Sequence, residues 1–256
     1  MSVSKTFNRW CYDRRLWYTI DVSWCQIKQM HLIAIVRRQP KRLNLSWTNI
    51  SHRQLLWMLN RLPHLKHLNL AGNSWPAVSS LCCCAYPFLL GLNLNWVAGV
   101  QDACVRDLLS PPIDRRPGVD PTIRHLDRCT DLRLAGSDIT NASLELIVSH
   151  LTRLKRLDLS YCVGIDDRGI EILADDKSPT QKTLRVLMLA SCSQVTPVCL
   201  KHLDRLASLE EVDMQACPKI SEADLQEFIV SHPLCRVTWQ ETGVRVIEEI
   251  ECTDIC

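Results

Sequence analysis

The pattern Leu-x-x-Leu-x-Leu returns along the whole chain, and no other feature constrains the fold as tightly. It stands as Leu65-Lys-His-Leu68-Asn-Leu70, as Leu89-Leu-Gly-Leu92-Asn-Leu94 and as Leu154-Lys-Arg-Leu157-Asp-Leu159. It returns as Leu184-Arg-Val-Leu187-Met-Leu189 and Leu209-Glu-Glu-Val212-Asp-Met214, with weaker copies centred on Ile20, Leu43, Leu132 and Val237. Successive centres are 23, 25, 24, 40, 25, 30, 25 and 25 residues apart. A period near 25, kept through nine registers with two insertions, specifies a stacked array of like units.

Each unit can be read mechanically. The x-Leu-x-Leu-x segment alternates, which predicts a short strand with its leucines facing inward. Some seven or eight residues past the centre comes a polar start: Ser51, Thr140, Asp166, Thr196 or Ser221. Such a side chain can accept from the unpaired amides of a following helix, and Ser51 with Gln54 fits a capping box. Apolar residues then recur at helical spacing, as in Leu144, Ile147, Val148 and Leu151. No unit covers its leucines alone, so neighbours must stack. The expected fold is an α/β leucine-rich-repeat solenoid over residues 19–242, with parallel strands on the concave face and helices on the convex face.

Fourteen cysteines in 256 residues need an account. No charged-then-apolar leader opens the sequence, so the expectation is a compartment that keeps thiols reduced. Five positions past the centres stand Cys25, Thr48, Asn73, Val97, Ser137, Cys162, Cys192, Cys217 and Thr242. All but Val97 are small hydrogen-bonding side chains. At the turn leaving each strand they would form a structural ladder that satisfies buried backbone groups. Ligands 25 residues apart along a solenoid do not converge on a metal, and Cys-x-x-Cys spacing is absent outside the run Cys82-Cys83-Cys84, so neither metal nor cofactor is expected. That run is expected to help pack a helix.

The insertion at 110–121 carries four of the twelve prolines and reads as an exposed loop; Asp175 to Gln181 reads as a second. The longest apolar stretch, 78–92, is broken by Ser79, Ser80 and Pro87 and is too short for the ~20 residues of a membrane span. Net charge is +2, but residues 1–66 hold twelve Lys/Arg against Asp13 and Asp21, while residues 202–256 hold four against twelve Asp/Glu. Arg37, Arg38, Lys41 and Arg42 make a basic cluster. Without a groove-entering motif or interleaved aromatic residues, it reads as a solvated turn, and nucleic acid is not the expected partner.

Catalysis finds no support. His125-Leu-Asp127 and His202-Leu-Asp204 match the first pair of an iron triad by string only: the first ends a proline-rich loop and is not on a jelly-roll strand, and the second falls on a repeat helix, where residues two apart do not face each other. A Gly-rich phosphate loop and a Gly-x-Ser-x-Gly elbow are both missing from the sequence. What the repeats offer instead is a surface. Outward strand positions place Arg42, Asn44, Asn69, Asn93, Arg133, Asp158 and Asp213 on one concave face, with Trp24, Trp47, Trp96 and Tyr161 at its rim. Trp and Tyr are the residue types that dominate interface energetics; the competing reading packs these rings under neighbouring turns.

Repeats with Cys at the ladder position resemble the cysteine-containing leucine-rich repeats of F-box proteins. The segment 4–17, with Phe7, Trp10, Leu16 and Trp17, resembles the last helix of an F-box. Arg37-Arg-Gln-Pro40, Leu45-Ser-Trp-Thr-Asn-Ile-Ser51, Asp107-Leu-Leu-Ser-Pro-Pro112 and Leu132-Arg-Leu-Ala-Gly136 extend the likeness, in order, to the C-terminal region of the JmjC-type lysine demethylase 2 family. The resemblance implies three parts: an F-box remnant at 1–18 that would touch a Skp-type adaptor, nine repeats at 19–242, and an acidic tail at 243–256. The Leu-Pro-x-Glu-type first helix of an F-box is not in the sequence, nor are JmjC, CXXC or PHD elements. Adaptor binding is therefore not expected of this chain alone. The resemblance further implies a nuclear, non-catalytic interaction module, serving an SCF-type ubiquitin ligase or a Polycomb-type complex through RING and corepressor subunits. The alternatives are a DNA- or nucleosome-contacting accessory, or a fragment of a full-length histone demethylase.

Overall fold

The computed structural model describes residue 10 and residues 13–83, 87–111 and 126–239. Nine three-residue strands make one sheet in sequence order: β1 (Thr19–Asp21), β2 (Arg42–Asn44), β3 (His67–Asn69), β4 (Gly91–Asn93), β5 (Asp131–Arg133), β6 (Arg156–Asp158), β7 (Val186–Met188), β8 (Glu211–Asp213) and β9 (Arg236–Thr238). Every neighbouring pair is parallel. The middle residues pair in a single row, Ile20 with Leu43, Leu68, Leu92, Leu132, Leu157, Leu187, Val212 and Val237 in turn. These are the nine centres of the sequence pattern.

Parallel strands require a crossover, and helices supply it. They are α1 (Gln29–Arg38), α2 (His52–Leu59), α3 (Trp75–Val78), α4 (Asp102–Leu109), α5 (Asn141–His150), α6 (Asp167–Leu173), α7 (Thr180–Thr183), α8 (Val198–Leu203) and α9 (Glu222–Ser231). Between sheet and helices lies a continuous core. Leu43, Leu68, Leu92, Leu132, Leu157 and Leu187 form one buried row, and Leu45, Leu70, Leu94, Leu134, Leu159 and Leu189 a second. Full burial of each stabilises by about 1.5–3 kcal/mol relative to exposure.

The helix starts follow their polar signals. Ser51 and Gln54 bond reciprocally at the head of α2, as do Ser221 and Asp224 at the head of α9. Thr140 accepts from Ala142 N–H, and Asp166 from Arg168 N–H. Thr196 accepts from the Val198 N–H at 3.3 Å. The second half of the array adds a link between neighbouring helices. The Asp102 carboxylate accepts from the N–H and Oγ1 of Thr140 and from Ser143 Oγ, and Asp167 accepts from the N–H and Oγ1 of Thr196.

Some expectations change. The insertion 175–181 is not simply an exposed loop: it runs into α7, and both Ser178 and Thr180 are buried. The reason is polar satisfaction, since Thr180 Oγ1 donates to the Leu173 carbonyl that closes α6 (2.6 Å). Cys82 and Cys83 end a 3₁₀ stretch, Ser79–Cys83, rather than an α-helix. Of the segment that resembles an F-box helix, residues 14–17 form a 3₁₀ turn capped by Asp13, whose carboxylate accepts from Arg15 N–H. Phe7, Cys84, most of the proline-rich insertion and the acidic tail lie outside the described residues.

Candidate interaction surface

The turn leaving each strand decides what the concave face can present. Four residues past each of the first eight centres the backbone is left-handed: φ is 61° at Trp24, 55° at Trp47, 69° at Gly72, 59° at Trp96, 71° at Gly136, 60° at Tyr161, 58° at Ser191 and 53° at Ala216. That geometry aims the side chain along the array, onto the next turn. The Trp24 and Trp47 rings stack in parallel, with centroids 5.0 Å apart and planes 4° apart. The Trp47 ring lies flat over Gly72, where a Cβ would come within 2.2 Å of it, and Trp96 covers Gly136 in the same way at 2.3 Å. Trp96 also meets Tyr161 at 5.0 Å and 53°. These rings are packed on neighbouring turns and still open to solvent, with exposures of 73% for Trp24, 43% for Trp47, 46% for Trp96 and 51% for Tyr161. The packing reading therefore holds for these rings, and each also keeps an exposed face.

The polar strand residues have a local job that the sequence reading missed. The side-chain oxygen one position past the centre accepts the backbone N–H two residues on: Asp21 from Ser23, Asn44 from Ser46, Asn69 from Ala71, Asn93 from Asn95, Asp158 from Ser160 and Asp213 from Gln215. These are Asx turns. Arg133 cannot accept, and Asn95 Oδ1 from the preceding repeat takes the Ala135 N–H instead (2.9 Å). The recurrence of Asn or Asp at one register position was the available signal. Asn44 further donates to Asp21 (2.9 Å), and Arg133 pairs with Asp131 (3.0 Å).

Over the first five strands the concave face forms a groove of about 270 Å³ lined by Asp21, Arg42, Asn44, His67, Asn69, Asn93 and Arg133 among others. His67 reaches into the space left by Gly91, where a Cβ would sit 2.6 Å from its Nδ1. Burial first, and then the charge of Arg42, push the His67 pKa down, which favours the neutral ring near pH 7. At the far end, burial pushes the Asp213 carboxyl up, with the charges of Asp158 and Glu211 adding to the shift.

Beneath the rim runs the ladder. Cys162 Sγ donates to Leu134 O (3.3 Å), Cys192 Sγ to Leu159 O (3.2 Å) and Cys217 Sγ to Leu189 O (3.1 Å). Asn73 Nδ2 donates to Leu45 O (2.9 Å) and Leu70 O (2.8 Å), and Thr48 Oγ1 donates to Leu45 O (2.9 Å). The thiols thus bond the carbonyl two past the preceding repeat's centre. Cys25 departs from this pattern: it is exposed, because its strand is the first and no preceding carbonyl is stacked against it. Val97 has nothing to donate, and the buried Ser137 Oγ has no partner, so the ladder lapses between repeats four and five. Burial raises the Cys162 thiol to about 11 and Cys192 to about 12, which keeps both protonated as donors and unreactive as nucleophiles. Among the described residues, His, Cys, Asp and Glu gather nowhere in threes able to hold a metal, and no helix is long and apolar enough to cross a membrane. His202 lies on α8 and Asp204 just beyond it; His125 is outside the described residues.

Of the residues assigned to adaptor contact, Trp10 and Leu16 are exposed and Trp17 is half-buried beneath the Arg38 guanidinium (4.3 Å). The basic cluster differs from its sequence reading in one respect: aromatic rings do interleave it. Lys41 Nζ lies 5.4 Å from the Tyr18 ring and Arg61 Cζ 4.4 Å from Trp57.

The family described as leucine-rich repeat matches residues 61–74 and 150–174. Lysine-specific demethylase 2B of Mus musculus is 45% identical over 230 residues, which is 90% of this chain and 18% of that protein. Lysine-specific demethylase 2A of Xenopus tropicalis is 43% identical over 230 residues, 90% of this chain and 20% of that protein. The chain is a leucine-rich-repeat relative of the lysine-specific demethylase 2 proteins. It spans about a fifth of the length of these curated relatives. Among solved structures, the yeast Rad7 and Elc1 complex aligns with a TM-score of 0.48 at 18% identity, covering 85% of this chain and 69% of that one.

Proposed function

We propose that this lysine-specific demethylase 2 relative is a non-catalytic protein–protein interaction module. In this reading it recruits substrates or assembles complexes in the nucleus, within an SCF-type ubiquitin ligase or a Polycomb-type repressive complex. The observation that carries the proposal is the rim: three tryptophans and a tyrosine, each two-fifths exposed or more, held in fixed orientation beside a polar groove. Rigid, half-exposed aromatic rings lose little freedom on binding and bury large area. Trp47, Trp96 and Tyr161 would supply affinity. Arg42 and Arg133 would supply selectivity, together with Asn44, Asn69, Asn93, Asp158 and Asp213, whose oxygens are partly committed to their own turns.

The test is titration calorimetry of the chain against purified Polycomb-type RING–corepressor subunits and, separately, a Skp-type adaptor. Saturable binding that weakens at least tenfold in Trp47→Ala or Trp96→Ala supports the proposal. Binding to none of them, or binding indifferent to both substitutions, overturns it.

A further inference from the structure

From Val22 to Gln101 the sequence contains no aspartate or glutamate and eight Lys/Arg. The solenoid gathers most of those cations along one edge, where the chain descends from each helix to the next strand. Arg37 and Arg38 close α1 there, Arg61 follows α2, and Lys41 and Lys66 are the last residues before the turn re-enters β2 and β3. Backbone bonds set the turns side by side: Lys41 N–H donates to Tyr18 O (3.0 Å), and Lys66 N–H donates to Lys41 O (2.8 Å). Some positive charge belongs at helix C-termini, and Arg38 and Arg61 each donate through Nη1 to the carbonyl four residues back (3.0 Å). The charge exceeds that need.

Elsewhere in the array, four arginines meet carboxylates of their own chain: Arg133 with Asp131, Arg156 with Glu211, Arg185 with Glu210, Arg205 with Asp176. Lys155 and Arg236 there are unpaired among the described residues, but carboxylates stand around them in the sequence. Among the described residues, Arg37, Lys41, Arg61 and Lys66 have no such ion pair. With no carboxylate between Val22 and Gln101, they leave a run of exposed positive charge along this edge.

We propose that this edge docks the phosphodiester backbone of nucleic acid without reading its sequence. A protein partner would need an open apolar or aromatic anchor. Two of the three rings in this row, Trp17 and Trp57, instead lie beneath guanidinium groups. A row of cations on a smooth edge suffices for phosphate, where affinity comes from neutralised charge and released counterions. The rings hold the guanidinium planes in place, so less side-chain freedom is lost on contact.

Fluorescence anisotropy of a labelled mixed-sequence DNA duplex, titrated with the full chain at several salt concentrations, tests the proposal. Binding should weaken steeply with salt, with a log–log slope of about −3 to −4 if four phosphates are neutralised. The exposed pair Lys41→Gln/Lys66→Gln, with an unchanged melting curve, should cost about tenfold or more and flatten the slope by about two. Lys182→Gln/Arg205→Gln, in the later turns, should leave binding unchanged. No binding at low salt, or full binding by the first double variant, overturns the proposal. Competition by polyglutamate as effective as by equal charge of unlabelled duplex also overturns it, in favour of an acidic protein.

Discussion

The two halves of the solenoid share one backbone geometry and satisfy it with different chemistry. In the first four repeats the ladder is built by Thr48 and Asn73, the rim by indole rings, and carboxylates are absent from Val22 to Gln101. From the fifth repeat on the ladder becomes Cys162, Cys192 and Cys217, the rim carries Tyr161 and then only Ser191 and Ala216, and acidic side chains tie neighbouring helices through Asp102–Thr140 and Asp167–Thr196. A thiol satisfies one carbonyl and sits inertly in an apolar core. A carboxamide satisfies two. The second half is therefore more closed on itself, with Arg133, Arg156, Arg185 and Arg205 paired to carboxylates, whereas the first exposes indole rings and, among the described residues, leaves Arg37, Lys41, Arg61 and Lys66 without an ion pair.

The sharpest way to break that comparison is Leu157→Asp, which buries a charge at a position with 0% exposure in the closed half. Loss of about 4 kcal/mol or more is expected, read as loss of the cooperative far-ultraviolet melting transition. Next is Asn73→Ala, which removes one donor each from the Leu45 and Leu70 carbonyls, leaving them Thr48 Oγ1 and the residue-73 N–H, and should cost about 2 kcal/mol by urea denaturation. Cys192→Ala removes a single weak donor and should cost only about 1 kcal/mol; equal costs would erase the contrast between the two ladders. Gly136→Ala drives a Cβ into the Trp96 ring and should cost about 1–3 kcal/mol with a shift in tryptophan emission. Combining it with Trp96→Ala should recover part of that loss.

Asp213→Asn should have the smallest effect and the opposite sign. It keeps the acceptor for Gln215 N–H and removes a charge penalised by burial and by Asp158 and Glu211. Because the folded pKa of Asp213 lies above its ordinary 3.8, the ionised group opposes folding above that pKa. The variant should therefore melt slightly higher near neutral pH, and its advantage should vanish as pH falls below about 3.8.

Register, fold class and helix caps were legible because leucine spacing and polar starts are local signals of fixed period. The lapse at Val97 was visible for the same reason. The Asx turns were missed because Asn and Asp on an outward strand position look like surface residues until the backbone curls back on them. The rim rings could not be divided between packing and exposure, since that depends on glycines 25 and 40 residues away, at Gly72 and Gly136. Trp57 and Tyr18 were invisible as partners of the basic cluster because helix and turn juxtapose them only once stacked.

In a linear array each repeat senses only its immediate neighbours, and a missed rung such as Val97–Ser137 would ordinarily mark the place where two cooperative blocks part. Here Asn95 Nδ2 reaches across the fifth repeat to Asp158 (2.9 Å), and Trp96 reaches Tyr161 in the same sixth repeat. Those contacts act as a second-neighbour coupling laid over the weakest first-neighbour interface. The solenoid is therefore expected to unfold as one block through the lapse, so that calorimetry should show a single transition.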